Sequence, residues 1–273
     1  MCRLLGVLAD KPIDMEFSMG TAPNSFVGFG DGRNPDGWGM GWYESGIDTP
    51  RIFKEPLAAM ESEELPHLVA GTVSRIFACH VRKSTCGNPS IANTHPFRHE
   101  NWLFAHNGAV DRGVLLDRLN REHRDAVQGD TDSETYFHWI LQNIEEQAGD
   151  VASGVRRAVA ALDKYTGLNF ILSDGERLYA YRDASRRRNH YSLFFLKRNP
   201  FGEDTSSPDR IESCQTDAII HSARLRDERA VMICSEKLTG DDVWQEIPLG
   251  SLLTVNRDLG TELTELNAPR LRP

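Results

Sequence analysis

The second residue of this chain is a cysteine, in the run Met1-Cys2-Arg3-Leu4-Leu5-Gly6-Val7. A side chain this small at position two permits removal of the initiator methionine, which would leave Cys2 with a free α-amine. Such a residue carries its own catalyst: the thiolate attacks a carbonyl, and the neighbouring amine serves as the base. The densest set of chemically useful side chains lies further on, between His80 and Gly108. It comprises His80, Arg82, Ser84, Thr85, Gly87, Asn93, His95, Pro96, His106, Asn107 and Gly108. Taken one at a time these have ordinary readings, with Arg82 an exposed strand-end residue and Asn107-Gly108 a hairpin turn.

The same stretch invites a test for metal binding, because Cys79, His80, Cys86, His95 and His99 fall close together. Their spacing matches neither paired Cys-x₂-Cys ligands nor two histidines on one helical face. On a strand, moreover, Cys79 and His80 would point to opposite sides. No metal and no cofactor is expected. Cys214 and Cys234 read as inert, partly buried thiols.

Those residues must be positioned by a chain of 273 residues with 40% hydrophobic and 26% charged side chains, long enough to bury a substantial core. The formal charge of −9 argues against general affinity for nucleic acid or an anionic membrane. The strongest basic cluster, Arg186-Arg187-Arg188, reads as a solvated loop. Five cysteines without regular spacing suggest reduced thiols. With no apolar-cored leader and no run of 18 apolar residues, the expected location is cytoplasmic.

Hydrophobic patterning places a short strand over Cys2–Ala9. Six glycines between Gly28 and Gly41 mark a tight loop feeding a strand over Met40–Tyr43. Further strands are predicted over Ser74–Val81 and over Trp102–Ala105, the latter ending at the Asn107-Gly108 turn. Helical spacing covers Val114–Glu122, Asp132–Glu146 and Val151–Tyr165, with Thr131 as the cap of the second and Glu134 three residues on. Strands return over Leu168–Ser173, Arg177–Tyr181, Tyr191–Leu196, Ala230–Cys234 and Ser251–Val255. Strands, then paired helices, then strands predict two sheets with helices outside, in one domain.

Six motifs occur in an order that resembles class-II glutamine amidotransferases of the short, stand-alone bacterial type. They are Met-Cys-Arg, Asp36-Gly37-Trp38-Gly39, His80 to Gly87, Asn93-Thr94-His95-Pro96-Phe97, Trp102 to Gly108, and Gly129-Asp130-Thr131-Asp132-Ser133-Glu134. The resemblance implies an α+β fold, a four-layer αββα sandwich of two mainly antiparallel sheets (the N-terminal-nucleophile hydrolase fold), spanning residues 2–273 once Met1 is removed. It implies that Cys2 attacks the γ-amide of glutamine, forming a thioester and releasing ammonia, with its α-amine carrying the proton. Arg82 matches the arginine that holds the substrate α-carboxylate, a task suited to a planar fork, and Asp132 matches the partner of the α-ammonium. Asn107 and Gly108 match the oxyanion hole, while Thr85 and His95 match residues lining the glutamine pocket. Trp38 reads as core packing.

The resemblance leaves no room for a separate acceptor or synthase domain. It allows for a partner protein that receives the ammonia. Two other readings stay open. One is a γ-glutamyl amide hydrolase acting on a modified amino acid in thiol biosynthesis. The other is an inactive homologue that serves as a binding or regulatory subunit.

Overall fold

The computed structural model describes residues 2–14, 35–83, 87–186, 188–198, 210–212, 219–221, 229–237 and 244–266. In chain order the elements are β1 (Arg3–Asp14), β2 (Trp38–Trp42), β3 (Arg51–Glu55), α1 (Glu64–Gly71), β4 (Val73–Val81), β5 (Phe97–His99) and β6 (Trp102–Val110). Four helices follow: α2 (Arg112–Arg118), α3 (Arg121–Ala126), α4 (Asp132–Glu146) and α5 (Val151–Ala160). The second half holds β7 (Tyr165–Ser173), β8 (Leu178–Arg182), β9 (Phe194–Arg198), β10 (Arg210–Glu212), β11 (Ile219–His221), β12 (Ala230–Cys234), β13 (Gln245–Glu246), β14 (Ser251–Val255) and β15 (Thr261–Glu265).

Two antiparallel sheets stack face to face. One has seven strands in the order β13-β9-β12-β1-β4-β2-β3, and the other six in the order β15-β14-β8-β7-β6-β5, with β10 and β11 forming a separate ribbon. The central strands of both sheets are buried on both faces, so they are apolar almost throughout and the period-two alternation shows only in where each side chain goes. Along β1, Leu4 and Leu8 face the other sheet, while Leu5, Val7 and Ala9 face outward. Along β4, Ile76 and Ala78 face inward and Phe77, Cys79 and Val81 outward. The core between the sheets draws on residues from Leu4 to Val255.

The helices α2 to α5 cover the outer face of the six-stranded sheet, and α1 covers part of the outer face of the seven-stranded sheet. The layering is therefore α–β–β–α, and the fold class is the α+β sandwich expected. The two helical layers are unequal: among the described residues α1 is the one α-helix over the larger sheet. No helix of the described residues is long and apolar enough to cross a membrane.

Helix α4 has the predicted bounds, and Thr131 caps it by accepting the Glu134 N–H at 3.3 Å. The helix expected over Val114–Glu122 is instead two. Asn120 interrupts it because its side chain accepts the His123 N–H at 2.9 Å, starting α3, while its own N–H donates to Gln142 Oε1 at 2.8 Å. Helix α5 stops at Ala160, short of the expected Tyr165, which opens β7 and donates its hydroxyl to Asp183. The expected turn at Asn107-Gly108 is also absent. Both residues lie inside β6, paired with Asn169 and Leu168 of β7, and a bulge follows between Gly108 and Val110. The Gly-rich stretch from Gly28 lies outside the described residues up to position 34.

Candidate active site

Cys2 immediately precedes β1, a central strand of the larger sheet. Arg3 pairs with Val81 at the end of β4, and Trp38 pairs with Val81 from the other side. That register carries Cys2 alongside the chain leaving β4 at Arg82 and Lys83. The Lys83 N–H donates to Cys2 Sγ at 3.2 Å, and the thiol lies 3.4 Å from the Lys83 carbonyl, which can accept its proton. Burial pushes the Cys2 thiol above its ordinary pKa, opposed by that N–H and by the positive charges of Arg82 and Arg3.

Arg82 is itself buried, at 3% exposure. Its N–H donates to the Gly37 carbonyl at 2.7 Å, and its carbonyl accepts the Asp36 N–H at 3.2 Å. These two bonds hold the Asp36–Gly39 loop against the end of β4. The guanidinium donates to the Gly87 carbonyl at 3.1 Å and the Asp36 carbonyl at 3.4 Å, and so spans two loops. Arg82 is thus an anchored residue rather than the exposed strand end that its isolated position suggested. Trp38 packs in the core against Phe53, its indole N–H donating to Glu55 at 3.0 Å. Thr85 lies outside the described residues.

The other sheet supplies the facing groups. Asn107 Nδ2 donates to the Cys2 carbonyl at 3.1 Å, a bond that joins the two sheets. Gly108 can only be glycine: a Cβ there would lie 1.8 Å from the Gly167 carbonyl oxygen. Just past the bulge, the Val110 N–H donates to Asp132 Oδ2 at 2.8 Å. This ties the first residue of α4 to the same strand that carries Asn107. Cys2, Arg82, Asn107, Gly108 and Asp132 are in this way brought to one end of the sandwich through a continuous chain of contacts.

His106 and His95 behave differently. His106 is buried between Ser133 Oγ, 2.9 Å from Nδ1, and the Gly167 carbonyl, 3.3 Å from Nε2. The carbonyl can only accept, so Nε2 carries the proton and Nδ1 accepts from the Ser133 hydroxyl. Burial lowers its pKa, partly offset by Asp132. The His95 ring packs 4.1 Å from His80 and 4.6 Å from Phe97, centroid to centroid, and its nitrogens have no hydrogen-bond partner among the described residues. Burial holds His95 well below the usual histidine range and His80 at about 3. In all three, burial disfavours the charged imidazolium.

Two residues that sequence reasoning did not assign to the site hold it in shape. The Glu134 carboxylate accepts the N–H groups of Gln128 at 3.1 Å and Gly129 at 2.6 Å. Asn93 accepts the Asp130 N–H at 2.8 Å and donates to the Asn88 carbonyl at 3.0 Å. Together they fix the loop that delivers Asp132. The capping pattern drew attention to Glu134, but it bonds the preceding loop instead of turning back on Thr131.

A family profile described as "Glutamine amidotransferases class-II" matches residues 1–271. The "Putative glutamine amidotransferase YafJ" of Escherichia coli K12 is 29% identical over 267 residues, which cover 92% of this chain and 95% of that protein. A γ-glutamyl-hercynylcysteine sulfoxide hydrolase of Mycobacterium tuberculosis is 33% identical over 184 residues, 65% of this chain and 73% of that protein. The structure of a glutamine aminotransferase class-II domain protein from Silicibacter pomeroyi has the same fold. It superposes with a TM-score of 0.64 at 21% identity, over 97% of this chain and 99% of that one. With a match that runs nearly end to end, the chain belongs to the class-II glutamine amidotransferase family.

Proposed function

We propose that this enzyme hydrolyses the γ-amide of glutamine through a thioester on Cys2 and releases ammonia. The observation that carries the reading is the meeting of the two sheets at Cys2. There the Lys83 N–H reaches its sulfur and the Asn107 amide reaches its carbonyl. Removal of Met1 frees the α-amine, which takes the thiol proton as sulfur attacks the γ-carbonyl carbon. The C–N bond then breaks and the amine returns the proton to the departing ammonia. Water attacks the thioester, and glutamate leaves as the thiol is restored.

Asn107 Nδ2 and the Gly108 N–H stabilise the oxyanion of both tetrahedral intermediates. Arg82 holds the substrate α-carboxylate and Asp132 the α-ammonium, and Thr85 and His95 line the pocket. The net charge of −9 suits an enzyme that acts on a small solute rather than on nucleic acid, and the irregularly spaced cysteines fit a reducing, cytoplasmic setting. The same chemistry allows the ammonia to pass to an accepting partner protein.

Likeness to the mycobacterial hydrolase supports a second reading, in which the substrate is a bulkier γ-glutamyl amide. Turnover on glutamine against such amides separates the two, and glutamine is expected to be the better substrate. An intact-mass spectrum before and after a glutamine-analogue electrophile tests the mechanism. The expected result is loss of Met1 and a single adduct, absent in Cys2→Ala. Ammonia release should fall by roughly 10⁴- to 10⁶-fold in that variant. An active preparation that retains Met1 would overturn the proton route, and a fully active Cys2→Ala would overturn the nucleophile.

A further inference from the structure

Away from Cys2, three histidines from three elements converge: His99 at the end of β5, His123 in α3 and His138 in α4. We infer that they form a site for a divalent first-row transition cation of the zinc class, which clamps β5 and α3 onto α4. The inference is independent of the glutaminase reading.

Geometry is the first support. One ring nitrogen from each histidine lies within 4.8 Å of the others. His123 Nδ1 and His138 Nδ1 are already 3.2 Å apart. Two nitrogens on a tetrahedral zinc, each bonded at about 2.0–2.1 Å, stand roughly 3.3–3.4 Å apart. The ring planes are inclined at 52° to 71° to one another, so the imidazoles do not stack flat and leave their nitrogens accessible from the side.

Protonation is the second. His123 Nε2 is 3.0 Å from Glu145 Oε2. That carboxylate fixes the proton on Nε2 and leaves the Nδ1 lone pair aimed at His138. A carboxylate behind a histidine is the usual way of orienting a metal ligand. Without a cation, His138 Nδ1 carries the proton and donates to His123 Nδ1. With one, that proton sits on Nε2 and both Nδ1 atoms bind.

Chemistry and access complete the case. Three neutral imidazoles with no thiolate select zinc, nickel, copper or cobalt over magnesium and calcium, which favour oxygen. His123 and His138 are buried at 1% and 2% exposure, whereas His99 is only partly buried and gives the ion a way in. The Cys79, His80, Cys86, His95 and His99 grouping shares only His99 with this cluster, since His80 and His95 pack against each other elsewhere.

The test uses the full-length chain, stripped with chelator and titrated with Zn²⁺ against a competing indicator, with Co²⁺ absorption reporting tetrahedral nitrogen ligation. One equivalent is expected, with a rise in thermal midpoint that grows with free Zn²⁺. His99→Gln, at a partly exposed strand end, should weaken binding more than 100-fold. Glu145→Gln should weaken it about 10- to 100-fold. Cys2→Ala should keep the equivalent, which separates this site from any ion on the nucleophile. His138→Gln should also lose it, and His99→Gln decides if that variant does not fold. Unchanged stoichiometry and affinity in His99→Gln, or no bound equivalent in the parent chain, overturns the inference in favour of a hydrogen-bonded histidine cluster only.

Discussion

Over the six-stranded sheet, Phe104, Phe170 and Tyr181 stack beneath α4, where Phe137 lies 5.0 Å from Phe104 with the rings nearly parallel. Helix α4 buries every residue from Asp132 to Ile144, because α2, α3 and α5 close over it. Over the seven-stranded sheet the described cover is thinner, with Leu65, Leu68 and Val69 of α1 and the indole of Trp244. The proposed chemistry divides along the same line. Asn107, Gly108 and Asp132 belong to the heavily covered side, and Cys2 and Arg82 to the other. Donors that must await a developing charge gain most from a setting that cannot relax, and they are rooted where packing is densest.

The largest effect that could break this contrast is on stability. Phe104→Ala should cost about 3–5 kcal/mol in denaturant unfolding, and Leu65→Ala, at the lightly covered face, roughly 2 kcal/mol. Equal losses would mean that the two faces contribute alike. Next comes catalysis. Asn107→Ala should lower kcat by about 10²- to 10³-fold, or ~3–4 kcal/mol of barrier, and leave KM nearly unchanged. Arg82→Lys should chiefly raise KM, because an ammonium cannot grip a carboxylate as a fork does. If Asn107→Ala moved KM alone, the division of labour between the sheets would fail.

The smallest effect is on the pH dependence of stability. Cys79 and Cys234 flank Leu5 on the outer face of the larger sheet. Burial pushes the Cys234 thiol up to about 12 and the Cys79 thiol further still. A folded-state pKa above the unfolded value favours the neutral thiol. That stabilisation is whole below pH 9 and is lost as the pH climbs from 9 toward 12. The thermal midpoint should therefore fall more steeply above pH 9 in the parent than in Cys234→Ala. Parallel slopes would show that this thiol titrates freely.

What the sequence disclosed and what it hid differ by the range of the interactions involved. The cap at Thr131 and the bounds of α4 follow from neighbours a few residues apart and stand as expected, whereas the strand expected over Tyr191–Leu196 begins only at Phe194. Asn107-Gly108 carries a strong local turn signal that pairing with β7 overrides, leaving a bulge as its trace. The break at Asn120 depends on Gln142, which lies across the helix pair. The residues of the proposed site stand in motifs of fixed order, which is why the sequence alone points to them. The roles of Asn93 and Glu134 in holding the Asp132 loop, and the meeting of His99 with His123 and His138, were not legible there. They arise from contacts between residues far apart in the chain and leave no spacing to detect.

The bonding of Cys2 to residue 83 has a consequence for how this site can vary. Among the described residues, both hydrogen bonds on the sulfur come from the peptide unit of Lys83 and neither from its side chain. A feature encoded in the main chain is invisible to the amino-acid alphabet, apart from the one residue that lacks an N–H. Position 83 can therefore change its side chain without Cys2 losing that donor. Proline alone would silence it.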